Sequence, residues 1–288
     1  MRDYVIITDS ACDINSETLE SWGVKFKELT FRFAEDNKEY TNNEMPVKDF
    51  YDKMRAGGVA KTAAVNSESW ISVFEQALKD GKDVLCLAFS SGLSTTYNSA
   101  RIAAQQLCGI YKDSKIIVID TLCASAGEGL VVRLAVDKKN NGASIEENAS
   151  YINENLMRLC HWFTVDDLVY LKRGGRISSA AAFFGNMIGI KPVLHVDDAG
   201  HLVNVSKVRG RRSALIAMAD KYTETAIDKE SGIVYISHAD CENDAKELAK
   251  ILNNRHGVNV EIITSVGPVI GAHAGPGTLA LFFIGNVR

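Results

Sequence analysis

The chain lacks most of the features that announce a function outright. Its 288 residues include six cysteines but no C-x-x-C pair. Scattered cysteines in a chain of this length argue for reduced thiols in the cytoplasm, most of them acting as small buried hydrophobes. There is no G-x-x-x-x-G-K-[ST], which excludes a phosphate-cradling P-loop, and no G-x-G-x-x-G. No apolar stretch approaches the roughly 20 residues of a membrane span. The opening "MRDYVIITDSACD" has too short an apolar run before Asp9 for a signal-peptide core. Internal repeats, low-complexity segments, a proline-rich linker and a recognisable helix-turn-helix are also missing. Net charge is −4, so there is no general attraction to nucleic acid or to an anionic membrane.

What is present is a globular composition. Hydrophobic residues make up 46% and charged residues 24%, in a chain long enough for two domains of ordinary size. "YVIITDS" (4–10), "VLCLAFSSG" (84–92) and "KIIVIDT" (115–121) are short, β-branched and nearly all apolar. Such runs suit central strands of a parallel sheet covered on both faces. Helical patterns fall between them. "SWISVFEQALKDG" (69–81) puts Trp70, Phe74 and Leu78 on one face and stops at Gly81. The run 144–160 reads as a helix opened by the Ser144–Glu147 capping box.

The second half reads differently. "PVLHVDDAGHLVNVSKVR" (192–209) reads as two strands joined at a D-A-G turn. A helix follows over 211–225, then a strand over 233–240, a helix through about Asn253, and strands over 260–266 and 279–285. The expectation is an α/β fold of two lobes. Residues 1–162 form an N-terminal parallel-sheet domain and residues 163–288 a C-terminal mixed α/β domain, with the ligand site in the cleft between them.

Several segments carry candidate chemistry. In "FSSGLSTTYNSA" (89–100) a strand ends, Gly92 allows a turn, and Ser94 or Thr95 starts a helix whose free N–H groups favour an anion. Simple capping by Ser94 is the plainer reading. Asp9 and Ser10 follow the first strand, where ligands bind in open α/β sheets, although both are ordinary turn residues. Lys61 and Thr62 in "VAKTAAVNS" offer an ammonium and a hydroxyl. Lys172, Arg173 and Arg176 surround a Gly-Gly pair, and an apolar stretch with Phe183, Phe184, Ile188 and Ile190 follows. Arg209, Arg211 and Arg212 form a second basic group. His238 and Cys241 lack a second ligand pair, so no metal site is expected. His273 stands in "GAHAGPGTLALFF" (271–283), read as a glycine-rich turn where the backbone can approach a ligand closely. Catalytic base, metal ligand, head-group binder and structural histidine are all open readings of it.

Taken together, "TDSACD" (8–13), "KT" (61–62), "SSGLSTTYNSA" (90–100), "IDTLCASAGEGLVV" (119–132), "FTVDDLVYLKRGGRIS" (163–178), "KVRGRR" (207–212) and "GAHAGPGTLALFF" (271–283) resemble the DegV family. Its members include the fatty-acid-carrying subunits of bacterial fatty acid kinase. The resemblance implies two α/β lobes with a long-chain fatty acid in a tunnel between them. It implies that Thr62, Ser94 and His273 hold the carboxylate. Arg173, Arg176 and Arg209 would serve the pocket mouth and the docking of a kinase subunit. The apolar stretch with Phe183, Phe184, Ile188 and Ile190 is the candidate tunnel lining, with an ordinary core helix beside a solvated charge cluster as its plainer reading. On this reading the chain is not an enzyme and needs no cofactor of its own, because ATP and Mg²⁺ belong to the partner. Two departures bear on the head group. The family often has K-T-S-Q-P-S where this chain has "KTAAVNS", and often a glycine where Thr95 stands. The rival expectation is a hydrolase or transferase on a small carboxylated or phosphorylated substrate, with Ser94 as nucleophile and His273 as base. No acid to orient His273 is visible for it.

Overall fold

The computed structural model describes residues 2–36, 38–177 and 189–288. Its strands are β1 (Tyr4–Asp9), β2 (Lys25–Lys27), β3 (Thr30–Phe33), β4 (Tyr40–Thr41), β5 (Ala60–Ala63), β6 (Asp83–Ala88), β7 (Ile116–Asp120), β8 (Leu159–Thr164), β9 (Ile190–Val196), β10 (Leu202–Arg209), β11 (Val234–His238), β12 (Ile262–Ser265) and β13 (Leu279–Ile284). Its helices are α1 (Ser16–Ser21), α2 (Val47–Arg55), α3 (Ser67–Lys79), α4 (Thr96–Ile110), α5 (Ala126–Asn140), α6 (Ile145–Leu156), α7 (Val169–Arg173), α8 (Arg211–Thr225), α9 (Glu242–His256) and α10 (Pro268–Ala274). Among the described residues no helix is long and apolar enough to cross a membrane.

The first sheet is parallel, in the order β2-β1-β6-β7. Every residue of β1 and β6 is buried, as central strands covered on both faces must be. Helices α3 and α4 pack on one face and α5 and α6 on the other. Trp70, Phe74 and Leu78 are the buried stripe of α3, and Gly81 beyond it takes φ +77°, which ends the helix.

The second sheet is mixed, in the order β10-β9-β8-β13-β11-β12. Only β11 and β12 run parallel within it. Helices α8 and α9 cover its outer face. Helix α5 touches strands of both sheets and lies between them. Its first seven residues, Ala126 to Val132, are all buried. A helix with sheet on two sides needs small and apolar residues nearly all round, and "AGEGLVV" supplies them except at Glu128, whose buried carboxyl accepts from the Thr8 hydroxyl.

Two features depart from the sequence expectation. The helix expected over 144–160 has its capping box at Ser144 and Glu147, but it ends at Leu156. Leu159–Thr164 forms β8 instead, because those residues pair along β13 and alternate between the two faces of the sheet. Cross-strand burial overrides the continuing helical pattern. A third sheet, antiparallel in the order β4-β3-β5, was not expected at all. Phe31 and Phe33 of β3 pack against Phe50 and Tyr51 of α2. This small sheet carries Thr62.

Candidate functional site

Helix α10 positions the histidine. Pro268 occupies its first turn after Gly267, and Gly275, at φ +83°, terminates it. His273 therefore sits on the last turn of a short helix rather than on the expected glycine-rich turn. Proline at the first position is preorganised for a helix, and glycine beyond the end tolerates the reversal. The glycines also do a different task from the one expected. A Cβ on Gly271 would lie 2.4 Å from the Tyr51 hydroxyl, and one on Gly275 would lie 2.3 Å from the Tyr170 ring. They let α10 press on α2 and α7, not on a ligand.

Asp13 fixes the other end of α10. Its carboxylate accepts from the Gly267 N–H at 3.0 Å and from the Ser125 hydroxyl at 2.5 Å. Burial pushes the Asp13 carboxyl up to about 7. Ser125, at φ 55°, also lies 2.9 Å from the Ser237 hydroxyl of β11. One side chain thus ties the loop after β1, the start of α5 and the start of α10 together.

At the working end, His273 Nε2 lies 2.8 Å from the Thr62 hydroxyl. Burial first, and the Arg176 guanidinium second, lower the imidazole to about 4. The ring is neutral at physiological pH, with one N–H and one lone pair. With the proton on Nε2 the ring donates to Thr62, whose own O–H is then left to donate into the cavity. Nδ1 has no partner among the described residues and faces Gly174, where a Cβ would stand 2.2 Å away. No carboxylate orients this ring.

Ser94 is prepared in a similar way. Its hydroxyl accepts from the Thr96 N–H at 3.2 Å and lies 2.8 Å from the Thr96 hydroxyl. With Thr96 donating on both counts, the Ser94 proton is available to a ligand. Ser94 thus bonds the first turn of α4, and His273 bonds Thr62. The Ser94–His273 hydrogen bond that the nucleophile reading needs is not formed. Gly92 is required by the hairpin between β9 and β10, since a Cβ there would stand 2.8 Å from the Ala199 carbonyl.

Thr62, Ser94, Thr95, Arg176 and His273 all line one cavity of about 540 Å³. The rest of its wall is mostly apolar, with Leu29, Phe89 and Leu93 on one side, Val266, Val269 and Ile270 on another, and Phe163, Ala280 and Phe282 from the six-stranded sheet. Arg176 is held by the Leu93 carbonyl at 3.1 Å and by the Gly174 carbonyl. This half-buried guanidinium puts a positive charge on the wall beside the hydroxyls.

The remaining candidates fall elsewhere. Arg173 is exposed and its guanidinium lies 5.6 Å from the Tyr170 ring centroid. Arg209 is exposed at the end of β10, opposite Ile190. Neither arginine, nor Ile190, is among the described residues lining the cavity. Phe183, Phe184 and Ile188 lie outside the described residues. Asp9 and Ser10 are structural: Asp9 accepts from the Ala11 and Phe89 N–H groups, and Ser10 accepts from Leu29. Arg211 bonds Asp244 and lies near Asp166. Among the described residues no three His, Cys, Asp or Glu side chains are placed to hold a metal ion. Sequence reasoning missed Asp13, Thr96 and Ser125. All three stand within motifs that carry the family resemblance, but only the fold reveals what they support.

The family model described as an uncharacterised protein of the DegV family matches residues 3–286. The chain belongs to the DegV family. A DegV domain-containing protein of Clostridium perfringens is 41% identical, with 100% of this chain and 99% of that one covered. Among solved structures, a DegV lipid-binding protein from Thermotoga maritima superposes with TM-score 0.87 at 32% identity, over 99% of both chains. A DegV family protein from Thermus thermophilus, described by its fatty acid binding, superposes with TM-score 0.89 at 28% identity, over 99% and 100%. The DegV architecture of a parallel-sheet part and a mixed-sheet part thus extends over the whole chain.

Proposed function

We propose that this DegV protein binds a long-chain fatty acid in the cavity and presents its carboxylate to an ATP-dependent kinase subunit, which converts it to an acyl-phosphate. The observation that carries the reading is the Thr62–His273 pair opening on an apolar cavity. With the His273 proton on Nε2 and the Thr96 hydroxyl donating to Ser94, the Thr62 and Ser94 hydroxyls would both donate to the carboxylate. Arg176 would balance its charge. Fatty acid or lipid binding by the two superposed relatives supports the same ligand class.

The energetics suit such a ligand. Burying about 14 methylenes is worth roughly 11 kcal/mol at ~0.8 kcal/mol each. Ordering the chain and losing its translational freedom offset a large part of that. Held by neutral donors, a carboxylate keeps an oxygen free to attack phosphorus. The chain acts as a carrier, with ATP and Mg²⁺ bound by the partner. Exposed Arg173 and Arg209 are the candidates for contacting that partner, and the parallel-sheet and mixed-sheet lobes, which meet near residue 160 at the start of β8, would enclose the lipid.

The test is reconstitution. Delipidated protein reloaded with fatty acid, then mixed with a fatty acid kinase catalytic subunit, ATP and Mg²⁺, should yield acyl-phosphate. His273→Ala should lower that yield far more than it lowers thermal stability. Full acyl-phosphate formation by His273→Ala would remove the head-group role.

A further inference from the structure

Among the described residues, two side chains both line the cavity and carry a buried polar atom without a hydrogen-bond partner. One is His273, which the head-group reading uses. The other is His161, which it leaves unexplained. His161 is 1% exposed, and neither of its ring nitrogens makes a hydrogen bond of ordinary geometry, a weak approach to the Leu159 backbone being all it has. An unsatisfied buried polar group is costly, and a fully apolar neighbour would leave it so.

The ring is fixed in place. It stands on β8 opposite Phe282 in the strand register and meets the Phe282 ring edge-on, with centroids 5.6 Å apart. Both rings lie against Gly127 of α5, where a Cβ would stand 2.6 Å from His161 Nε2 and 2.8 Å from the Phe282 ring. Burial, then the nearby Arg288 guanidinium, keep the imidazole well below its ordinary range and so neutral. A neutral imidazole offers one N–H and one lone pair. Its best partner is a neutral group that both donates and accepts, which is a hydroxyl; a second carboxylate would find no cationic ring here. His161 also stands apart from the head group. Helix α10 packs on α2, α7, β3 and β5, whereas His161 belongs to the sheet face beneath α5.

We propose that His161 forms a second polar contact point in the cavity, which takes a hydroxyl carried on the acyl chain. The favoured ligand class is then a hydroxylated long-chain fatty acid rather than a plain saturated one. This rests on the fatty-acid reading above and narrows it.

The test is competition on delipidated protein, read by native mass spectrometry. Stearic acid is set against hydroxystearic acids bearing the hydroxyl at successive mid-chain carbons and at the terminal carbon. At least one positional isomer should outcompete stearic acid by about tenfold. His161→Phe should abolish that preference while changing stearic acid affinity less than about twofold. His161→Gln, which keeps a donor and an acceptor, should retain much of it. If stearic acid matches or outcompetes every isomer on the unmodified protein, the His161 proposal is overturned while fatty-acid binding stands. The same holds if the preference survives His161→Phe in a folded variant. If no probe binds, the fatty-acid reading fails and takes this proposal with it.

Discussion

His273 Nε2 and the Thr62 hydroxyl meet at 2.8 Å although 211 residues separate them in the chain. The contact joins helix α10 to the edge strand of the small antiparallel sheet, and it opens on the cavity. Everything proposed for the head group depends on it.

Thr62→Val keeps the β-branched shape and removes the hydroxyl. Fatty acid affinity should fall on the order of tenfold, since a hydrogen bond to a charged group is worth about 1.5–3 kcal/mol and the other donors remain. Displacement of a bound fluorescent fatty acid reads this directly. The melting temperature should fall modestly, because the partly buried His273 Nε2 loses its partner at about 1–3 kcal/mol for a group left unsatisfied.

Gly174→Ala tests the close approach behind the histidine. The new methyl would stand 2.2 Å from His273 Nδ1, so the ring must shift and disturb its contact with Thr62. Overpacking of this kind typically costs about 1–3 kcal/mol. Denaturant unfolding should show that loss, and ligand binding should weaken more than stability alone explains.

The pH dependence of His273 has a definite sign. Its folded value of about 4 lies below the ordinary 6.5, so between those limits the unfolded chain binds more protons. Stability from this site is fully present above pH 6.5 and is lost as pH falls toward 4. Comparing the protein with His273→Gln across that window isolates the site from Asp9 and Asp13, whose raised carboxyls act in the opposite sense. The difference in stability should shrink on acidification, and the imidazole should titrate near pH 4 by NMR.

Asp13→Ala removes the anchor of α10 and leaves the Gly267 N–H and the Ser125 hydroxyl without that acceptor. At about 1–3 kcal/mol for each unsatisfied group, this variant should lose several kcal/mol in denaturant unfolding. Hydrogen exchange should rise first in α10.

Most strands and helices were readable because their residues carry the period of the element. The buried run of β1, the Trp70–Phe74–Leu78 stripe of α3 and the D-A-G hairpin between β9 and β10 are local signals. The missed elements answer to distant partners. Residues after Leu156 continue an apolar pattern, yet β13, more than a hundred residues on, pulls them into a strand. The same holds at the site. Thr62, Ser94 and His273 stood out through the family resemblance, but the glycines around His273 were legible only once Tyr51 and Tyr170 were seen against them. Asp13 and His161 carry no local mark, because their roles arise from α10 and α5 packing on them.

The most direct measurement is the mass of the purified protein under native conditions, followed by its mass after denaturation. The account predicts a native species heavier than the bare chain by one fatty acid, which denaturation releases intact. A chain that never takes up fatty acid would contradict it, as would an acyl group that stays covalently attached at Ser94 after denaturation.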